Sequence, residues 1–165
     1  MTKVSARLNR LSESATLAMA RMSRELKAEG HDVISLSLGE PDFDTPEFIK
    51  ESAKQAIDNN FSHYTPVPGL LELREAICTK FERDNSLKYT PEQIVTSTGA
   101  KQSIANVCLS LVDKGDEVLL PAPYWVSYLE IVKLSEATPV IIPSSINTDF
   151  KVTSKQLESA ITPRT

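Results

Sequence analysis

The residues from Glu92 onward constrain the fold most, because extended and helical patterns alternate there. Three short extended runs, "EQIVTS", "EVLLP" and "TPVIIP", are separated by stretches of helical period. The predicted strands are Ile94–Ser97, Glu117–Leu120 and Thr138–Ile142. Strand–helix–strand order favours a parallel or mostly parallel sheet with helices packed on it. The sequence therefore predicts an α/β fold.

Helical patterns account for most of the remaining chain. Thr45 is expected to cap one helix, with Pro46 at its first helical position. Thr90 and Gln93 form a capping-box pattern around a single turn. We predict helices over residues 14–29, 46–60, 70–84, 100–111 and 124–134, and another that begins after Thr153. The positions expected to face inward are Ile49, Ala53, Ala56, Ile57, Leu73, Ala76, Ile77, Phe81, Ile104, Val107, Cys108 and Leu111.

The composition argues against a nucleic-acid-binding protein and against a membrane-spanning protein. The chain has 165 residues and a net charge of −4, so it lacks the basic balance of a nucleic-acid-binding protein. No apolar run approaches the roughly 20 residues of a membrane span. The Arg- and Ser-containing N-terminus fits either a targeting segment or an ordinary amphipathic entry helix. Cys78 and Cys108 lie at apolar helical positions, which favours buried free thiols and a reducing compartment such as the cytoplasm.

Gly99 lies between a predicted strand and a predicted helix, in "STGAKQS". A glycine there permits a sharp turn, and the amides of Ala100 and Lys101 would then point outward at the positive end of a helix. Such a turn binds phosphate readily, but it also occurs as a simple strand–helix connection. The pattern matches neither the Walker motif nor the three-glycine dinucleotide motif. From these residues alone, both interpretations stay open.

Other residues could belong to a ligand site but have ordinary structural explanations. Trp125 follows a predicted strand end, where ligands bind in open α/β sheets, or it packs at the rim of the core. Gly39 permits close approach of a ligand to the backbone, and Tyr64 is a loop tyrosine. His31 and His63 lack partners at metal or catalytic spacing, so no metal site is expected.

Four stretches together resemble the N-terminal part of class I aminotransferases, which depend on pyridoxal 5′-phosphate (PLP). They are "SLGEPDFDTP", "YTPVPGLLELREAI", "STGAKQSIANV" and "PAPYWVSY". The resemblance extends from about Ser14 to Thr165 and is nearest to the bacterial aspartate aminotransferase branch. It implies a mostly parallel sheet with helices on both faces, incomplete in this chain. It also implies transamination between an amino acid, aspartate above all, and a 2-oxo acid such as 2-oxoglutarate.

The resemblance also implies roles for individual residues. The amides of Gly99, Ala100 and Lys101 would bind the PLP phosphate, and Trp125 would stack on the pyridine ring near the substrate. Gly39 would lie on the substrate side. Tyr64 would reach the phosphate of a neighbouring subunit, which implies a homodimer.

The same resemblance sets limits on this chain. It places the Schiff-base lysine beyond residue 165, so no catalytic residue is expected here and the chain alone is expected to be inactive. Residues 1–45 would be an N-terminal segment associated with the small domain, and residues 46–165 the first part of the PLP-binding large domain. The remainder of the large domain and the C-terminal small domain would be absent. A PLP-dependent lyase of the same fold, or a non-catalytic PLP-binding regulatory module, remains an alternative.

Overall fold

The computed structural model describes residues 4–165. They divide into two compact units. The first, called the sheet unit, contains the described residues up to Leu38 together with Thr98–Thr165. The second, called the helical unit, is Gly39–Ser97. The expected division into residues 1–45 and 46–165 stays a prediction.

Among residues 4–165, two parallel strands form the sheet. Strand β1 is Glu117–Ala122 and strand β2 is Thr138–Pro143, with Leu120 opposite Ile141 in the register. Both match predicted strands and extend them by one or two residues. The prediction of an α/β fold with a parallel sheet is confirmed.

The part of the chain that the structure describes contains six α-helices, which agree with the predicted ones to within a few residues at most ends. The second is capped by Pro46 rather than Thr45, and the fifth begins at Val126 rather than Tyr124, so these two predicted starts are wrong. Thr153 caps the sixth as predicted, because its hydroxyl accepts a hydrogen bond from the Gln156 amide at 3.2 Å. The helices are α1 (Ala15–Ala28), α2 (Glu47–Asp58), α3 (Leu71–Asn85), α4 (Ala100–Leu111), α5 (Val126–Leu134) and α6 (Ser154–Ala160).

The predicted strand Ile94–Ser97 is wrong, because these residues pair with no strand among residues 4–165. The segment lies instead against a turn of the helical unit. The Thr96 amide donates to the Pro68 carbonyl at 3.0 Å, and its hydroxyl donates to the same oxygen at 3.2 Å. Extended backbone becomes a strand only when a neighbouring strand continues the ladder, and one turn carbonyl does not provide that.

Burial follows the predicted pattern only in part. In α4, Cys108 is buried as predicted, but Val107 is 56% exposed and Leu111 is 78% exposed. In α2 and α3, Ile57 and Leu73 are also exposed. The inward placement expected for these four residues is therefore wrong, because residues 4–165 leave about half or more of each side chain uncovered. Two further expected positions, Ala53 and Ala76, are exposed as well, and Ile49 is 46% exposed.

Both cysteines are free. Cys108 is buried and Cys78 is half-buried, so burial is complete for only one of the two thiols predicted to be buried. Burial raises the pKa of the Cys108 thiol. The thiol therefore stays protonated and is a poor nucleophile. Within the described residues, each helix is too short or too polar to cross a membrane.

Candidate functional site

The turn before α4 has an unusual backbone geometry. Gly99 precedes the helix with φ +85° and ψ 162°, a region that is almost exclusive to glycine. A Cβ built at this position would meet no atom within 4 Å. Glycine is therefore required here for its backbone conformation, and the space in front of the turn is open.

Three successive amides at this turn are available to a ligand. The Gly99 carbonyl accepts hydrogen bonds from the Gln102 and Ser103 amides, and the Thr98 amide donates to the Gln102 side-chain oxygen. Within residues 4–165, the N–H groups of Gly99, Ala100 and Lys101 have no acceptor. Open donors at the positive end of a helix attract an anion.

Gln102 is a residue that the sequence reasoning missed. Its side-chain oxygen accepts a hydrogen bond from the Thr98 amide. The Thr98 amide is therefore already paired, unlike the three open N–H groups that follow it. A glutamine at the third helical position is a recognised signal for a side chain that folds back on the helix start. That signal was present in "TGAKQ" and could have identified it.

Trp125 lies next to this turn in the sheet unit. It is the residue immediately before α5, and it is 46% exposed. The ammonium nitrogen of Lys101 lies 5.4 Å from the centroid of the Trp125 ring, within the range of a cation–π interaction. The structure therefore brings together four of the predicted site residues: Gly99, Ala100, Lys101 and Trp125.

A crevice of about 690 Å³ opens beside the turn. Lys101 and Gln102 contribute to one wall and Tyr124 to another, while residues 11–15 and α5 complete it. Tyr124 was not among the predicted site residues, although it immediately precedes Trp125 in the same segment. Of the four predicted site residues in the sheet unit, Lys101 lines the crevice, whereas Gly99, Ala100 and Trp125 do not.

Glu130 fixes residues near the N-terminus to the wall of this crevice. Its carboxylate accepts from the Ser12 amide at 2.9 Å and from the Lys133 ammonium at 2.8 Å. Burial by itself would raise the pKa of Glu130, but the hydrogen bonds from Lys133 and Ser12 outweigh it, and the net effect is a lowered pKa. Arg10 forms a second link, an ion pair with Glu136 at 2.7 Å.

The other two predicted site residues belong to the helical unit. Gly39 lies in an irregular segment with open space around it, and Tyr64 is fully exposed in a loop. Their roles stay predictions. A smaller cavity of about 430 Å³ lies between β2 and α6, and its lining contains none of the predicted site residues.

The family model of aminotransferase class I and II matches residues 31–165. The chain belongs to this family. The resemblance inferred from the four motifs is therefore confirmed.

Relatives of known name agree with this assignment. The aspartate/prephenate aminotransferase of Cereibacter sphaeroides is 52% identical over 165 residues, which is all of this chain and 41% of that protein. The protein of the same name from Nitrosomonas europaea is 50% identical over 163 residues, 99% of this chain and 41% of its own length. The chain thus spans about two fifths of the length of these aminotransferases.

Solved structures of aminotransferases show the same fold. The aspartate aminotransferase from Rhizobium meliloti matches with a TM-score of 0.95 and 41% identity, over 99% of this chain and 41% of that protein. The aspartate aminotransferase from Thermus thermophilus, solved with maleate, matches with a TM-score of 0.94 and 40% identity. That match covers 100% of this chain and 43% of the Thermus chain.

Proposed function

We propose that this chain provides the phosphate- and ring-binding part of a PLP-dependent aminotransferase. The observation that carries the proposal is the set of three open amides at Gly99, Ala100 and Lys101, together with the half-exposed Trp125 ring near the Lys101 side chain. Class I and II membership and the names of the relatives support it independently.

The residues present fit PLP in two respects. A phosphate needs several donors and room to approach them, and the turn offers open N–H groups with no atom near the Cβ position of Gly99. A flat pyridine ring needs a flat apolar surface, and the Trp125 indole offers one. The ammonium group of Lys101 adds positive charge beside both surfaces.

PLP, when bound, supplies an electron sink for chemistry at the substrate Cα. The residues of this chain bind the phosphate and orient the pyridine ring. The amides at residues 99–101 hold the phosphate, and the ring of Trp125 limits the tilt of the pyridine. In this proposal Gly39 lies beside the substrate, and Tyr64 reaches the phosphate site of a second copy of the protein in a homodimer.

We propose aspartate as the amino donor and 2-oxoglutarate as the acceptor. The names of the Cereibacter and Nitrosomonas relatives support aspartate and add prephenate as a further 2-oxo acid to test. The free state of Cys78 and Cys108 supports a reducing compartment, and we place the protein in the cytoplasm.

The experiment is a chimera in which residues 1–165 replace the matching part of the Cereibacter relative. We expect it to convert aspartate and 2-oxoglutarate to oxaloacetate and glutamate, and to accept prephenate in place of 2-oxoglutarate. The 165-residue chain, purified free of other aminotransferases, is expected to show no turnover. Release of ammonia without glutamate formation would show a lyase instead, and an inert chimera that still binds PLP would favour a regulatory module.

A further inference from the structure

The loop that carries Tyr64 is held at its ends rather than along its length. Where it leaves α2, the Phe61 amide donates to the Ala56 carbonyl at 3.0 Å. Within residues 4–165, the backbone groups of residues 62–65 have no hydrogen-bond partner, and the Tyr64 side chain is fully exposed. Such a span is easily displaced, so the position of Tyr64 depends on how firmly the two ends of the loop are held.

The turn at the other end of this loop, Pro66–Gly69, is fixed by Thr96. The Gly69 amide donates to the Pro66 carbonyl at 2.9 Å and closes the turn. The Thr96 amide and hydroxyl both donate to the Pro68 carbonyl. Gly69 is buried with φ +102°, and a Cβ built there would overlap the Thr96 hydroxyl oxygen. The turn therefore fits closely against Thr96, and glycine is the residue that permits this approach.

Arg74 joins the same turn to a second segment of the helical unit. Its Nε donates to the Gly69 carbonyl at 3.2 Å, and its Nη1 donates to the Pro91 carbonyl at 2.8 Å. Arg74 is the fourth residue of α3, near the positive end of that helix, where a cation is disfavoured. Hydrogen bonds from a charged donor are strong enough to offset this cost. The position of Arg74 therefore stabilises the turn and does not favour the helix.

We infer that Arg74 and Thr96 are positioning residues for Tyr64. By fixing the Pro66–Gly69 turn, they hold the base of the loop where the Tyr64 hydroxyl donates a hydrogen bond to the PLP phosphate of a second copy. The inference rests on the proposed function, which assigns Tyr64 to that phosphate, and adds the residues that keep it in place. When the turn is released, only a fraction of the loop conformations presents Tyr64, and the apparent affinity for PLP falls by that fraction.

The test is a double-mutant cycle on the chimera that contains residues 1–165, with PLP and pyridoxal as probes in equilibrium dialysis. Tyr64→Phe removes the hydroxyl and should weaken PLP binding by about tenfold, with no change for pyridoxal, which lacks the phosphate. Arg74→Met should weaken PLP binding by about fivefold when Tyr64 is present and by less than about twofold in the Tyr64→Phe background. A merely structural role would weaken binding equally in both backgrounds.

The matched control is Arg83→Met. Arg83 lies on the same helix and pairs with Asp84 on the exposed surface. Its replacement should leave both affinities unchanged. A measurement without any ligand follows the turn itself, because amide exchange at Gly69 should be at least about fivefold faster in Arg74→Met and unchanged in Arg83→Met.

Thr96 provides a second pair of variants, which also decides the matter if Arg74→Met does not fold. Thr96→Val removes the hydroxyl, keeps the shape of the side chain and should weaken PLP binding by about threefold when Tyr64 is present. Thr96→Ser keeps the hydroxyl and should restore the affinity. Thr96 precedes Gly99 by three residues, so a loss that persists in the Tyr64→Phe background would show an effect on the Gly99 turn and would overturn the inference.

The two possible failures are distinguishable. Equal losses from Arg74→Met in both backgrounds, or unchanged amide exchange at Gly69, would overturn the inference and leave Tyr64 at the phosphate. If Tyr64→Phe binds PLP as tightly as the unmodified chimera, the role of Tyr64 in the proposed function is wrong, and the inference is wrong with it.

Discussion

The ammonium nitrogen of Lys101 lies 5.4 Å from the centroid of the Trp125 ring. The first residue belongs to the start of α4 and the second immediately precedes α5, so the packing of these two helices sets the distance. This contact joins the open amides of the Gly99 turn to a flat aromatic surface. The proposed PLP site depends on that proximity.

Replacement of Trp125 by alanine should weaken PLP binding. The indole is 46% exposed, and stacking of flat rings on aromatic side chains contributes about 1–3 kcal/mol. We expect a loss of affinity of roughly 5- to 150-fold in the chimera, measured by equilibrium dialysis. Phe150→Ala is the matched control, because Phe150 is a similarly exposed aromatic residue elsewhere in the sheet unit. Equal affinities in both variants would remove Trp125 from the site.

Replacement of Gly99 by alanine should weaken both folding and phosphate binding. Alanine is strained at φ +85° by about 1–3 kcal/mol, although the added methyl group has room. Gly115→Ala is the control, since Gly115 has φ +103° and an equally open environment away from the turn. We expect both variants to unfold at lower urea concentration and only Gly99→Ala to lose PLP affinity. A parallel loss in both would assign the effect to stability alone.

The cluster at Glu117 should make folding stability depend on pH. The Thr162 hydroxyl is the largest cause of a lowered Glu117 pKa and Arg164 adds to it, while partial burial opposes them. A lowered folded-state pKa means that the stabilisation is present above the ordinary glutamate pKa of 4.5 and is lost as the pH falls through the folded-state value. Glu117→Gln should therefore be less stable than the unmodified chain at pH 7, and the two should converge well below pH 4.5 in urea unfolding experiments.

The control for this pH dependence is Glu158→Gln. Glu158 is exposed on α6 and forms no ion pair within residues 4–165. Its replacement should leave the unfolding curve unchanged at both pH values. A gap between Glu117→Gln and the unmodified chain that persists in acid would show that the charge of Glu117 is not what stabilises the segment.

Glu130 should hold residues 11–15 against α5. Glu130→Ala removes the acceptor of the Ser12 amide, so we expect faster exchange at Ser12 and a loss of about 1 kcal/mol in the free energy of unfolding. Glu130→Gln retains an acceptor oxygen and should preserve most of the protection. If both variants exchange like the unmodified chain, the Ser12–Glu130 bond does not hold this segment in solution.

Local patterns predicted local structure well. Strands β1 and β2, helix α4 and the cap at Thr153 follow from residues close in the sequence, so periodicity and capping signals were sufficient to place them. The strand predicted at residues 94–97 is wrong, because a strand depends on a pairing partner that is distant in the sequence, and no local pattern specifies that partner. The burial predicted for Val107 and Leu111 is wrong for the same reason, since burial depends on what packs against the apolar stripe of α4.

In the candidate site, too, features encoded by neighbouring residues could be predicted, whereas those that depend on helix packing could not. The Gly99 turn could be predicted, because glycine is the residue that most readily adopts the backbone conformation of a sharp turn between an extended run and a helix. The 5.4 Å approach of Lys101 to Trp125 could not, because it depends on how α4 packs against α5. The contribution of Gln102 was visible in the sequence as a glutamine in the first turn and was overlooked.

The most direct test of the phosphate site compares PLP with pyridoxal, which has the same ring and lacks the phosphate. The measurement is the dissociation constant of each for the chimera and for its Gly99→Ala variant, by equilibrium dialysis at one salt concentration. We expect the chimera to bind PLP at least about tenfold more tightly than pyridoxal, because charge-assisted hydrogen bonds to three amides favour the phosphate, and we expect Gly99→Ala to lose most of that preference. Equal affinity for PLP and pyridoxal in a folded chimera, or a preference that Gly99→Ala leaves intact, would contradict the assignment of this turn as the phosphate site.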